Sequence, residues 1–222
     1  MKYMVQCDFD GTITVEDVSF LLLDEFARGD WRTMLAEYQD GKMSVGVFNT
    51  RAFAMIRESE ETLLDYVLNS GKVQIRDGLP ELLECCAGNG LEFNIVSNGQ
   101  DFYIKAILNK LGLNGVKYHA ATSRFTPDGV DVHYIGPDGD VVTDCFKETH
   151  ARRFMEQGYR LIYAGNGLSD VYPAKLADHV FAISDMLRRC KEVGITCYPF
   201  EDLHDIARHL EKLQQAPASR QG

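Results

Sequence analysis

Long apolar runs are absent from this 222-residue chain, and no stretch approaches the roughly 20 apolar residues of a membrane-spanning helix. Met1-Lys2-Tyr3 leads straight into a strand-like run with no secretory leader, so a cytoplasmic location is expected. Positive charge is scarce too: 23 Lys and Arg stand against 33 Asp and Glu, a formal net charge of -10. Nucleic acid and anionic membrane surfaces both reward clustered Lys and Arg, so neither is expected as a partner. An acidic protein that handles a phosphate has to gather its positive charge locally. The six cysteines (Cys7, Cys85, Cys86, Cys145, Cys190, Cys197) include no CxxC pair and no Cys/His metal spacing. Buried reduced thiols are expected, not disulfides or zinc. Internal repeats and low-complexity blocks are missing as well. What remains, at 45% hydrophobic content, is enough for a full α/β core and a small second domain.

The most informative stretch is Met4-Val5-Gln6-Cys7-Asp8-Phe9-Asp10-Gly11-Thr12, an apolar run that ends in two carboxylates, a glycine and a hydroxyl. Carboxylates beside a buried strand are costly unless something compensates them. The run reads as a core strand whose carboxyl end opens into a loop. Alternation puts Asp8 and Asp10 on one side of that loop and Phe9 on the other. Two acids then converge where α/β sheets hold ligands, and a divalent metal is the candidate.

Strongly helical spacing follows. Thr14-Val15-Glu16-Asp17 resembles a capping box with Asp in place of the usual Glu, ahead of Val18, Leu21, Leu22 and Phe26. Further helices are expected from Trp31, from near Ser44 and from near Ser59. Four helices are too many for a simple crossover, so residues 15–73 are read as a helical cap inserted into a core of 1–14 and 74–215. From Arg76 an α/β alternation resumes: a helix at Pro80, a strand 91–96 breaking at Ser97-Asn98-Gly99, a helix 102–111 and a strand 115–121. Two Pro-Asp-Gly turns bracket Val130, Val132 and Tyr134 as an antiparallel ribbon. Helix 147–157, strand 161–164, the loop 165–170, strand 180–183 and a helix around Leu203 to Leu213 complete the pattern, with 216–222 a disordered tail. The expected fold is a doubly wound, mostly parallel, Rossmann-like α/β sheet.

Ser97, Lys147 and the loop Asn166 to Asp170 all fall on the same expected sheet edge as Asp8. Taken singly, Ser97 suits an ordinary turn, Lys147 a surface helix start, and Asp170 a helix N-terminal acid. Taken in order they resemble the four motifs of the haloacid dehalogenase-like hydrolase superfamily: Asp8-Phe9-Asp10-Gly11-Thr12, then Ser97, Lys147, and Gly165-Asn166-Gly167-Leu168-Ser169-Asp170. The cap position is similar to the phosphoserine phosphatase-like branch. Within that branch, Asp8 to Thr14, Phe26-Ala27, Trp31, Ser97 to Phe102 and Ala174 to Asp178 resemble the methionine-salvage phosphatases of 2-hydroxy-3-keto-5-methylthiopentenyl 1-phosphate. Choline/ethanolamine and pyridoxal phosphatases are competing branches.

The resemblance implies a magnesium-dependent phosphomonoester phosphatase acting on a small phosphorylated metabolite as a monomer or homodimer. Asp8 would be the nucleophile and Asp10 the acid and base, with Ser97 and Lys147 holding the phosphoryl oxygens. Mg2+ would rest on Asp8, Asp10, Asn166 and Asp170. Thr12, Asn98, Gly99, Glu16 and Arg51 would line the substrate, although residues such as Glu16, Asp17, Arg51 and Arg57 are more often solvated helix positions than substrate contacts. Phe48, Trp31 and Tyr38 are read as core. Asn166 departs from the pattern, since the phosphoserine branch has Asp there. Its neutral amide brings no charge to a metal, which keeps open a phosphotransferase or a phospho-ligand-binding regulatory protein with little turnover.

Overall fold

The chain enters its sheet through β1 (Lys2–Cys7), which passes from an exposed Lys2 to four fully buried residues, Met4 to Cys7. In this computed structural model, which describes residues 2–215, β1 pairs in parallel with β2 (Glu92–Gln100) and β5 (Tyr159–Gly165). The expected tail, 216–222, lies outside the described residues. With β3 (Lys117–Thr126), β4 (Gly129–His133), β6 (His179–Ala182) and β7 (Tyr198–Pro199), the seven strands run in the order β4-β3-β2-β1-β5-β6-β7. The β3–β4 pair alone is antiparallel. The mostly parallel α/β sheet expected from sequence is therefore observed. Its strand order reverses at β1, and the loops leaving the carboxyl ends of β1, β2 and β5 diverge there to leave a crevice.

Between β1 and β2 lie α1 (Val18–Phe26), α2 (Trp31–Gln39), α3 (Val45–Phe53), α4 (Glu60–Asn69) and α5 (Leu79–Gly88). Each of the first four is started by a side chain that accepts an N–H of its first turn: Asp17 from Phe20, Asp30 from Thr33, Ser44 from Val47 and Ser59 from Thr62. The capping box at Thr14 is corrected to an Asp17 cap. Thr14 is committed elsewhere: its backbone forms an antiparallel bridge with Ile75, and its hydroxyl accepts the Gly11 N–H. Val15 N–H donates to the Gln74 carbonyl at 2.9 Å, and Arg76 N–H to the Ile13 carbonyl at 2.8 Å. Both ends of the four-helix segment thus meet in one narrow two-stranded neck.

The remaining helices are α6 (Asp101–Lys110), α7 (Phe146–Glu156), α8 (Val171–Ala174), α9 (Ser184–Glu192) and α10 (Leu203–Gln215). β2 does not break at Ser97 as expected but runs on to Gln100, its register against β3 shifting between Val96 and Gln100. β3 also exceeds its expected length, because its first half pairs with β2 and its second half, from Thr122, turns to pair with β4. Helix α9 was not anticipated, since only Met186 and Cys190 of its nine residues are buried. All six cysteines are free, but Cys145 is exposed and Cys197 half-buried, against the expectation of uniform burial. No helix among the described residues is long and apolar enough to cross a membrane.

Candidate active site

At the end of β1 the backbone N–H of Asp8 still donates to the Ala164 carbonyl of β5 at 2.9 Å, so the first carboxylate leaves from the fixed edge of the ladder. The chain then turns tightly around the Phe9 carbonyl, which accepts the N–H groups of Thr12, Ile13 and Thr14. Gly11 carries φ +74° here, and the Asn166 amide packs where its side chain would be. The Arg76 guanidinium locks the turn from below by donating to the carbonyls of Thr12 (2.8 Å), Gly11 (3.0 Å) and Glu201 (3.0 Å).

From the first turn of α7, the Lys147 ammonium reaches under this loop, 2.7 Å from Asp8 Oδ1 and 2.6 Å from Asp170 Oδ1. Gln6 of β1 holds that turn in place by donating its amide to the Lys147 carbonyl at 2.9 Å. Burial alone would lower the Lys147 pKa, but Asp170 and Asp8 outweigh it and keep the ammonium above the usual lysine range. Asp10 is gripped on both oxygens, by the Val18 N–H at 3.1 Å and the Tyr103 hydroxyl at 2.5 Å.

These groups form the floor of a cavity of about 170 Å³. Asp8, Asp10, Ser97, Asn98, Gly99, Lys147 and Asn166 line it from the sheet side, and Asp17, Ser19, Phe20, Leu35, Tyr38, Phe48 and Asn49 from α1 to α3. The two sides are tied at Asn49, whose amide donates to the Asn98 carbonyl (2.9 Å) and to the Tyr134 hydroxyl (2.7 Å). Burial pushes the pKa values of Asp8, Asp10 and Asp17 upward, reinforced by Asp170 at Asp8 and by Asp17 at Asp10. Four carboxylates, counting Asp170, therefore face one ammonium. Among the described residues no three His, Cys, Asp or Glu side chains are grouped to hold a metal. The side chains of Asp8, Asp10 and Asn166 that line the cavity offer oxygen donors, the Asn166 amide oxygen already accepting the Thr12 hydroxyl at 3.0 Å. An excess of buried negative charge with hard oxygen donors suits a divalent cation of the magnesium type.

A family model described as haloacid dehalogenase-like hydrolase matches residues 5–175, a span that includes Asp8, Asp10, Ser97, Lys147 and Asp170. The chain belongs to the haloacid dehalogenase-like hydrolases. It is 32% identical over 225 residues to a 2-hydroxy-3-keto-5-methylthiopentenyl-1-phosphate phosphatase of Bacillus velezensis, covering 97% of this chain and 92% of the relative. The protein of the same name from an Exiguobacterium species is 30% identical over 218 residues, covering 95% and 98%. Among solved structures, a phospho-aspartyl intermediate analogue of phosphoserine phosphatase matches with a TM-score of 0.70 at 20% identity, over 94% of this chain and 98% of that one. That likeness concerns the fold. Family and relatives together make this chain a haloacid dehalogenase-like phosphatase.

Not every residue expected at the site of this haloacid dehalogenase-like enzyme reaches the cavity. Asp170 is fully enclosed beneath the floor, and its carboxylate is saturated by four donors: Lys147 (2.6 Å), the Tyr163 hydroxyl (2.6 Å), and the N–H groups of Asn166 (3.0 Å) and Gly167 (2.7 Å). The carboxylate expected to hold a metal is in contact with Lys147 and three other donors. Thr12 turns away and donates to the Asn166 amide oxygen at 3.0 Å. Glu16 accepts the Gln74 N–H at the neck, and Arg51 is exposed on α3. Neither is among the residues that line the cavity. Phe48 and Tyr38 pack in the core as expected, their rings stacked with centroids 5.8 Å apart, yet both also line the cavity. Ser19, Asn49, Tyr103, Tyr134 and Arg76 were missed. Each acts through the polar end of one side chain on an otherwise ordinary helix, strand or loop position, which leaves no spacing signal.

Proposed function

We propose that the protein is a magnesium-dependent phosphomonoester phosphatase that works through an aspartyl phosphate on Asp8. The observation that carries this reading is the convergence of Asp8, Asp10, Ser97 and Lys147 on one cavity floor. An Asp8 oxygen attacks phosphorus, the bond from phosphorus to the ester oxygen breaks, and Asp10 gives its proton to the departing alcohol. Water then attacks the same phosphorus, its proton passes to Asp10, and the bond to Asp8 breaks to release inorganic phosphate. Ser97 and Lys147 supply hydrogen bonds to the phosphoryl oxygens as charge redistributes. Mg2+, held by the Asp8 carboxylate, the Asp10 carbonyl and the Asn166 amide oxygen, would offset the repulsion between a carboxylate and a phosphate dianion. The segment 15–73 serves as the cap, since three of its helices wall the cavity above the reacting groups and its two ends share one neck.

The organic part of the substrate is uncharged and in part apolar. Among the described residues that line this cavity of about 170 Å³ the one cation is Lys147, already paired to Asp8 and Asp170, while Phe20, Leu35, Tyr38, Val45 and Phe48 give the cap side an apolar surface. A substrate carboxylate would meet Asp10 and Asp17 instead of a guanidinium. This supports an ester like that named for the relatives, 2-hydroxy-3-keto-5-methylthiopentenyl 1-phosphate, over phosphoserine. Steady-state rates on a panel of phosphorylated metabolites test it: kcat/KM for the methylthio ester should exceed that for phosphoserine by about 100-fold or more. Phe48→Leu should lower kcat/KM for the methylthio ester about tenfold while changing methyl phosphate less than twofold, with Arg51→Ala as a silent control. A preference for phosphoserine would overturn the substrate class.

Asn166 supplies the metal-affinity test. Asn166→Asp adds a charge beside Asp8 at nearly constant volume, so the Mg2+ concentration for half-maximal phosphate release should fall about three- to tenfold. The amide does not donate to Asp170, whose neighbouring oxygen takes the backbone N–H instead. A rise in the Mg2+ requirement would remove Asn166 from the ligand set.

A further inference from the structure

We propose that Tyr103 is the residue that positions Asp10 for proton transfer, and that Ser19 ties this positioning to the cap. The inference rests on the reading of Asp10 as acid and base. Tyr103 lies on α6, the helix that follows β2, and is fully buried with its ring held between Phe9 (centroids 6.4 Å) and Phe102 (5.3 Å). A ring fixed on two sides delivers its hydroxyl to one place. That place is Asp10 Oδ2, at 2.5 Å. The other Asp10 oxygen takes the Val18 N–H at 3.1 Å, so the carboxylate plane is set by two donors from different parts of the fold.

Room for this contact is built into the backbone. A Cβ on Gly99 would stand 2.0 Å from the Tyr103 hydroxyl and 2.1 Å from Asp10 Oδ2, so residue 99 has to be glycine for the two to meet. Gly99 was expected to matter to the substrate; here its missing side chain clears the space beside the acid. The third partner is Ser19, 2.9 Å from the Tyr103 hydroxyl. With the Tyr103 proton directed at Asp10, Ser19 donates to the phenolic oxygen. Ser19 and Val18 both belong to α1, the first helix beyond the neck. Asp10 is consequently oriented by one residue of the core and two of the cap, and its alignment for proton transfer depends on α1 being seated.

Tyr103 touches Asp10 and not the substrate, so its removal should act through orientation. General acid catalysis is worth about 100- to 10,000-fold, and a misaligned acid forfeits part of it. Because the alcohol departs before water attacks, kcat/KM reports the step in which Asp10 gives its proton. Tyr103→Phe should lower kcat/KM about tenfold for an alkyl phosphate, whose alkoxide needs that proton, and less than twofold for p-nitrophenyl phosphate, whose phenolate does not. Ser19→Ala keeps the ring and both Asp10 donors and should show a smaller loss with the same dependence on the leaving group. It therefore tests the inference even if the Phe variant folds poorly. Equal losses on the two esters, or no loss on either, would overturn it. Asp10→Asn, run beside them, separates the two levels of the argument. A steep leaving-group dependence in that variant without one in Tyr103→Phe or Ser19→Ala defeats the positioning role alone, whereas its absence in Asp10→Asn removes the acid role and the inference with it.

Discussion

A folded Asp8→Asn protein should release phosphate at least about 1,000-fold more slowly than the wild type, because an amide of nearly the same shape is a poor nucleophile. The substitution is well placed to isolate chemistry from folding. The Lys147 ammonium sits 2.7 Å from Asp8 Oδ1, and an amide oxygen can accept the same proton; Asp8 also lines the cavity. Removing the charge also lifts a desolvation cost, since burial already pushes the Asp8 pKa upward. Thermal unfolding should therefore stay close to wild type while turnover collapses. Acid quenching during turnover of a radiolabelled ester should trap label on the wild-type chain and none on the variant. Near-normal turnover by a folded Asp8→Asn protein would end the covalent mechanism.

The sequence exposed this proposed nucleophile because a strand that stops in Asp-Phe-Asp-Gly-Thr leaves few other arrangements: the run is too apolar to be a loop and the acids too costly to be core. The α/β alternation was legible for the same reason, being written in hydrophobic spacings of two and of 3.6. What spacing cannot carry is the direction in which a side chain turns. Glu16 and Arg51 sit in the right segment but face the neck and the solvent, while Tyr103, one residue past Phe102 on an apolar helix, turns its single polar atom to Asp10. Helix α9 was hidden because it is mostly charged and buries two residues. Asp170 is the sharpest case, since the loop spacing placed it but did not show its contact with Lys147.

Asp170→Asn should lower stability by about 3–5 kcal/mol, the usual cost of breaking a buried charge pair by removing one partner. All four neighbours of the carboxylate are donors: Lys147, Tyr163, and the N–H groups of Asn166 and Gly167. An amide has one accepting end and one donating end, so either flip sets its NH2 against a pair of donors with no water to intervene. At 2–4 °C per kcal/mol for a domain of this size, the melting temperature should drop by about 10 °C. Activity should fall as well, because Lys147 loses the partner that holds it under Asp8. The same experiment distinguishes an anchor from a metal ligand. A weakened ligand is compensated by mass action, so raising Mg2+ would restore both rate and melting temperature. An anchor lost from beneath the floor leaves a defect that metal does not reach, and saturating Mg2+ should recover neither. Tyr163→Phe removes one of the four donors without creating a clash and should cost only about 1 kcal/mol. An Asp170→Asn protein that melts with the wild type and regains full activity in high Mg2+ would return Asp170 to the metal and leave Lys147 held by Asp8 alone.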